Sequence, residues 1–329
     1  MKIVVTGALG HIGSRVIRDI PSAFPDAEIV MIDNLSTQRY PSLFYLPSDG
    51  RYHFIEADVL TANLEFIFSN ADIVLHLAAI TDASSSFEIK EKVESVNYNT
   101  TKKVAEACVK TGSSLIYVSS TSVYGTQKET VDEDCPISDL QPQSPYAETK
   151  LREENLLKIL GDTEGLRFAI FRFGTIFGAS PGMRFHTAVN KFCWQAVMGQ
   201  PITVWRTALN QKRPYLDLED AMEALKFVIK KDLFDHRIYN VLTLNSTVSN
   251  IVEIIKRHVP DLSIQYVDTK IMNQLSYNVS NSRFRILGFE FNGSLEQGIG
   301  ETIQLLMGAC RGKTLLNGKY FHGEIRCEP

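Results

Sequence analysis

Thr6-Gly7-Ala8-Leu9-Gly10-His11-Ile12-Gly13 sets three glycines at G-x-x-G-x-x-G spacing directly behind the apolar run Lys2–Thr6. No other feature constrains the chain as tightly. A glycine triplet alone is weak, but one that follows a strand and opens a helix points to a dinucleotide site. Glycine permits the tight turn and close backbone approach, and the free N–H groups of a helix N-terminus attract a pyrophosphate. The bland alternative is a strand-to-helix turn with no ligand.

Behind this turn, short apolar runs alternate with helical spacing. Glu28–Asp33, Tyr52–Glu56, Asp72–Leu77, Ser114–Ser119 and Arg167–Phe173 read as strands. Gly13–Ile20, Val93–Thr111 and Tyr146–Leu160 read as helices stopped by Pro21, Gly112 and Gly161. That alternation predicts an α/β fold with a parallel sheet covered on both faces. The second half is less regular. Helical spacing over His186–Met198, Val248–His258 and Ser294–Gly308 is mixed with strand-like Ser263–Val267 and Tyr239–Leu242, and Arg213–Val228 reads as a strand followed by a helix. We expect a dinucleotide domain over residues 1–175 with 214–243 returning to it. A smaller α/β substrate-binding lobe is expected from 176–213 and 244–310, and 311–329 reads as a tail.

Asp33 ends the second strand, where a carboxylate can accept hydrogen bonds from adenosine ribose hydroxyls and would repel a 2′-phosphate. NAD is therefore expected over NADP. Asn34 follows it. Asp58-Val59 follows the third strand, where the Asp either holds the adenine amino group or is an ordinary loop carboxylate.

Tyr-x-x-x-Lys occurs four times, as Tyr98/Lys102, Tyr124/Lys128, Tyr146/Lys150 and Tyr266/Lys270. On a helix such a pair shares one face, and a nearby cation favours phenolate, making the phenol usable as a general base. Tyr146 follows Pro145 at a helix start, and Ser120 lies at the carboxyl end of a preceding strand, where ligands bind in doubly wound sheets. Tyr124 is followed by Gly125, Tyr266 falls in a strand-to-loop segment, and Tyr98 has no matching strand-end hydroxyl.

The glycine motif, His76-Leu77-Ala78-Ala79, Ser119-Ser120-Thr121-Ser122-Val123-Tyr124-Gly125 and Pro145-Tyr146-Ala147-Glu148-Thr149-Lys150 occur in this order. Together they resemble the extended short-chain dehydrogenases/reductases, specifically the nucleotide-sugar epimerases and dehydratases, over roughly residues 1–305. The resemblance implies a Rossmann-type doubly wound sheet, NAD, and a catalytic set of Ser120, Tyr146 and Lys150. Cofactor contacts are implied at Gly7, Gly10, His11, Ile12, Gly13, Leu77, Ala78, Ala79, Asn97 and Phe173, besides Asp33, Asn34, Asp58, Val59, Tyr146 and Lys150. Substrate contacts are implied at Thr81, Ser120, Thr121, Tyr146, Thr175, Arg184, Asn190, Arg213 and Tyr277. Arg213 lies in Gln211-Lys212-Arg213-Pro214-Tyr215-Leu216-Asp217, which resembles the family's R-D-Y-I-H-V-x-D segment; the Arg would fork onto a pyrophosphate, or be a surface arginine. Tyr277 is as readily a core residue.

Two departures from the family bear on the chemistry. Its 4,6-dehydratases carry Asp and Glu directly after the catalytic hydroxyl, and here Thr121 and Ser122 stand there, unable to move those protons near neutral pH. Thr175 replaces the usual Asn after Arg172-Phe173-Gly174. The run of small hydroxyl residues before Val123-Tyr124-Gly125 looks more like the family's 4-epimerases, and that resemblance implies inversion at C4 of a nucleotide-linked hexose through a transient ketone. An NAD-dependent dehydrogenase or reductase without inversion, and a non-catalytic NAD-binding protein, are the alternatives.

A net charge of −4 with no long basic run argues against nucleic acid as a partner. No run of 18 apolar residues marks a membrane span. Five cysteines without C-x-x-C spacing predict neither a disulfide frame nor a metal site. Read as reduced thiols, these cysteines predict a cytoplasmic protein, and the family resemblance implies a homodimer packed through the helices at 93–111 and 146–160.

Overall fold

The computed structural model describes residues 1–81, 89–125, 129–268 and 276–309, and the backbone of 313–316 and 319–322. The first half alternates as expected: β1 (Lys2–Thr6), α1 (His11–Ala23), β2 (Glu28–Asp33), β3 (Arg51–Glu56), α2 (Leu64–Ile67), β4 (Ile73–His76), α3 (Lys90–Thr111), β5 (Ser114–Ser120), β6 (Thr130–Val131), α4 (Pro145–Glu164), β7 (Phe168–Phe173) and β8 (Thr175–Phe177). Then follow α5 (Ala188–Val197), β9 (Ile202–Trp205), β10 (Lys212–Asp217), α6 (Leu218–Lys231), β11 (Arg237–Val241), β12 (Leu244–Thr247), α7 (Val248–His258), β13 (Ile264–Val267), β14 (Asn278–Val279), α8 (Ser282–Ile286) and α9 (Leu295–Met307).

The main sheet is parallel, in the order β11-β7-β5-β4-β1-β2-β3. This is the doubly wound Rossmann-type arrangement, and its order reverses beside β1, which opens a crevice at the carboxyl ends of the strands. Period-2 alternation divides each strand between two cores. Ile3 and Val5 of β1 pack with Val16, Phe171 and Met222 on one face, and Val4 packs with Val74, Val104, Leu115 and Leu157 on the other. Each such fully buried aliphatic side chain stabilises by about 1.5–3 kcal/mol. In β7 every residue is buried, including Arg172, whose guanidinium pairs with Glu154 at 2.6 Å.

A further core forms where Phe192, Ile251, Ile255 and Ile299 of α5, α7 and α9 close around Val204 of the parallel pair β9–β13. Residues of the 244–310 stretch enter both cores, since Phe284 and Phe289 join the core of the main sheet with Phe171 and Tyr239. Among the described residues no helix is long and apolar enough to cross a membrane. Cys310 and Cys327 lie outside the residues whose side chains are described.

Two helix ends differ from the sequence expectation. Pro21 lies inside α1, which runs on to Ala23. In the final turn the missing N–H forfeits one backbone bond and the fixed φ still suits the helix. Gly161 is a buried interior residue of α4, and the helix ends at Gly165, with φ +73°. A Cβ at Gly161 would stand 2.7 Å from Phe168 Cε1, so glycine is there for helix–sheet packing rather than as a stop.

Candidate active site

A cleft of about 450 Å³ runs along the carboxyl ends of β1, β2, β4, β5 and β7. Its floor is the glycine turn. Gly7, at φ +67°, donates to Ile32 O at 2.8 Å, and a Cβ there would come within 2.7 Å of Ala78 N. The turn is thus pressed against Leu77 and Ala78, which with Ala79 form one wall, while Gly10, His11, Ile12 and Gly13 lead into α1. Asp33 is fixed at the end of β2, where Oδ2 accepts from Leu9 N and Oδ1 from Leu35 N, each at 3.0 Å. Asn34 Nδ2 donates to Asp58 Oδ2 at 2.9 Å, Leu60 N donates to Asp58 Oδ1 at 2.8 Å, and Val59 packs beneath them in the cleft wall.

The roof comes from the loop after β8. Gly182 N donates to Ser14 Oγ at 2.9 Å, and Arg39 Nη1 donates to Gly182 O at 2.8 Å. Ser180 Oγ donates to His11 O at 2.8 Å and lies 2.9 Å from His11 Nδ1. With the Ser180 proton on the carbonyl, Nδ1–H of His11 is the donor and Nε2 is a bare acceptor, buried and with no partner among the described residues. Burial, reinforced by His186, Arg39 and Arg184, depresses the His11 imidazole from 6.5 to about 3. The guanidinium groups of Arg39 and Arg184 near a helix N-terminus suit a pyrophosphate. Arg39 and His186 line the cleft but carry no motif in the sequence; the only hint for Arg39 is its place as the sole cation of the Asn34–Arg39 stretch behind Asp33.

At the other end, Ser120 Oγ accepts from Ser122 N at 3.1 Å and from Ser122 Oγ at 2.9 Å, so its own proton is left to donate into the cleft. Tyr146, Lys150, Phe173 and Thr175 line the same end, with Thr81, whose hydroxyl accepts from Arg184 Nη2. Here the structure corrects a simple expectation. Lys150 Nζ lies 5.8 Å from the Tyr146 ring centre, and its hydrogen bonds run to Tyr117 Oη at 2.9 Å and Val118 O at 3.1 Å. The Tyr146 phenol is held above its ordinary value. Burial is the largest cause and Glu153 adds to it, while Lys150 and Arg184 oppose.

Five expected contact residues do not line the cleft among the described residues. Asn97 spends its amide on Ile80, accepting from its N–H at 2.8 Å and donating to its carbonyl at 2.9 Å, and so fixes the loop after β4. Thr121 is buried, its hydroxyl donating to Phe173 O at 3.2 Å. Asn190 is buried and accepts from Gly178 N at 3.3 Å. Arg213 donates to Lys212 O at 2.9 Å and Gln211 Oε1 at 2.8 Å, and lies 5.6 Å over the ring of Tyr277. Tyr277 itself packs in a small core with Val123 and Tyr124.

The other Tyr-x-x-x-Lys tyrosines sit elsewhere. Tyr98 faces Arg152 on the α3–α4 surface, at 4.8 Å. Tyr124 is buried and donates to Asn240 Oδ1 at 2.9 Å. Tyr266 is an exposed residue of β13. Lys128 and Lys270 lie outside the described residues.

The model of the NAD dependent epimerase/dehydratase family matches residues 3–241. The chain belongs to this family. A curated relative, the Arabidopsis thaliana trifunctional UDP-glucose 4,6-dehydratase/UDP-4-keto-6-deoxy-D-glucose 3,5-epimerase/UDP-4-keto-L-rhamnose-reductase RHM3, is 30% identical over 318 residues, covering 92% of the chain and 47% of the relative. The chain therefore spans about half the length of such trifunctional relatives. Among solved structures, MoeE5 in complex with UDP-glucuronic acid and NAD is 25% identical with a TM-score of 0.81, covering 94% of this chain and 100% of that one. A UDP-glucuronic acid 4-epimerase from Bacillus cereus, in complex with UDP-glucuronic acid and NAD, is 23% identical and shares the fold, with a TM-score of 0.82 over 94% of this chain and 100% of its own. As an NAD dependent epimerase/dehydratase, the chain takes NAD. The glycine floor with no room for a Cβ, the cationic roof and the fixed Asp33 all fit that dinucleotide.

Proposed function

We propose that the chain is a nucleotide-sugar epimerase that inverts C4 of a nucleotide-linked hexose through a transient 4-keto sugar. One observation carries the choice over dehydration. Ser120 is followed by the hydroxyl residues Thr121 and Ser122, and the only carboxylates among the described cleft-lining residues are Asp33 and Asp58, at the ends of β2 and β3. Elimination of water needs an acid and a base beside the reacting carbon. Moving one proton at the C4 oxygen needs only Tyr146, with Ser120 donating to that oxygen. When bound, NAD supplies reversible hydride acceptance at C4. Lys150 is the nearby cation. Thr81, Thr175 and Arg184, which line the cleft, are assigned to the sugar or its phosphate.

The test is to incubate purified protein with NAD and a panel of nucleotide hexoses and to follow products by NMR. A C4-inverted sugar with no net reduced nicotinamide is expected. A 4-keto-6-deoxy sugar would overturn the reading in favour of dehydration, and accumulating NADH would favour a dehydrogenase.

A cytoplasmic location is proposed alongside, and cell fractionation checks it. The homodimer is also a proposal. The outward residues of α3 and α4 include Lys92, Lys102, Glu106, Arg152 and Lys158, all exposed, so a two-fold contact there would be polar and weakened by salt. Light scattering at low and high salt is expected to show a dimer in the first and more monomer in the second.

A further inference from the structure

Two hydrogen-bonded chains with fixed proton directions meet beneath the cleft. Leu77 N and Ala78 N both donate to Thr6 Oγ1 at 3.3 Å, so the Thr6 hydroxyl proton goes to His76 Nδ1, at 2.7 Å. His76 Nε2 then carries the proton and donates to Thr101 Oγ1 at 3.2 Å, and Thr101 donates to Glu153 Oε1 at 2.7 Å. From the other side, Lys150 Nζ donates to Tyr117 Oη at 2.9 Å, and Tyr117 donates to Glu153 Oε2. Both chains end on one carboxylate that is fully buried, lies 3.5 Å from Lys150 Nζ, and receives only donors among the described residues. It is thus the acceptor on which both chains close.

The groups around it are few. Thr101 faces Glu153 from α3, His76 lies behind Thr101 on β4, Tyr117 faces it from β5, and Lys150 and Tyr146 share its helix. The neighbouring Glu154 is occupied by Arg172 of β7 and by Ser119, at 2.5 Å.

We propose that Glu153 is a positioning residue: its carboxylate holds the Lys150 ammonium on Tyr117 and thereby sets the pH at which Tyr146 gives up its proton. The inference rests on the reading of Tyr146 as the base, and its test separates the two. Phenolate absorbance of the chain minus that of its Tyr146→Phe variant reports the titration of Tyr146 alone, without turnover. Glu153→Gln is expected to lower that midpoint by about one pH unit, because the cation then acts on Tyr146 unopposed. Glu153→Asp, which keeps the charge, is expected to leave it within about 0.3 unit. The alkaline-rising limb of kcat/KM should follow the midpoint in each variant. An unchanged midpoint in folded Glu153→Gln overturns the proposal. If the amide prevents folding, Glu153→Leu removes the same charge and is read the same way. A midpoint that moves while the activity limb stays put leaves Glu153 in its role and removes Tyr146 as the base.

Discussion

As the proposed base, Tyr146 would shed its proton where burial opposes it, and that assignment can be tested without knowing the sugar. Tyr146→Phe removes the one transferable proton and little volume. Turnover is expected to fall by about 10²–10⁴-fold while NAD affinity, measured by calorimetry, stays within a factor of about two. Full activity would remove the assignment. Deeper in the protein, Glu154→Gln strips Arg172 of its counter-charge in a site neither can leave. Breaking a buried pair from one side costs about 3–5 kcal/mol, to be read as a lower denaturant midpoint. At this scale legibility was uneven. Ser120, Tyr146 and Lys150 stood out because motif, spacing and a strand end agreed. Glu153 did not, since in Leu151-Arg152-Glu153-Glu154-Asn155 it looks like one more charge on a solvated helix face, and only the meeting of α3, α4 and β5 buries it. Arg39 was invisible because it reaches the cleft by folding a loop back onto Gly182, a contact spanning 143 residues.

The helices show where local rules compete. By intrinsic preference, Gly161→Ala should strengthen α4 by about 1 kcal/mol. Against that stands the Phe168 ring edge, 2.7 Å from the new methyl, and overpacking of this kind costs about 1–3 kcal/mol. The clash is expected to win, so that Gly161→Ala lowers the thermal midpoint; a rise would show that Phe168 moves aside without cost. The existence and order of the sheet strands and of α1, α3 and α4 were readable from alternating apolar runs. Their ends were not, because a glycine kept for packing and a glycine kept for φ > 0 look alike in a sequence, and a proline in a last turn looks like one that ends a helix. The separation of 244–310 between two cores was equally hidden, since the phenylalanines around Phe284 carry no periodic mark of which lobe they join.

For the molecule as a whole, acid should loosen it before the carboxylates titrate. Burial drives the His11 and His76 imidazoles from 6.5 to about 3 in the fold. Below pH ~6.5 the unfolded chain takes up protons that the folded chain refuses, so stability is complete above that pH and falls toward pH ~3. At pH 5 the two rings together should cost about 4 kcal/mol, visible in denaturant melts at pH 7 and 5, and His76→Gln should remove about half of that slope. Half the slope would mean that one ring keeps its ordinary value in the fold, and a flat profile that both do.

The roof over the glycine turn also has a bearing on time. Gly182 is tied to Ser14 and Arg39, and Ser180 to His11, so the loop after β8 is latched directly onto the turn that would cradle a dinucleotide. We expect release of NAD to require these ties to open, so that its residence follows how often the latch opens. Arg39→Ala, which removes one tie, is expected to quicken NAD dissociation in stopped-flow fluorescence by about five- to tenfold. With the latch intact, the protein should come out of a purification already carrying NAD, which the proposed inversion would use again from one turnover to the next.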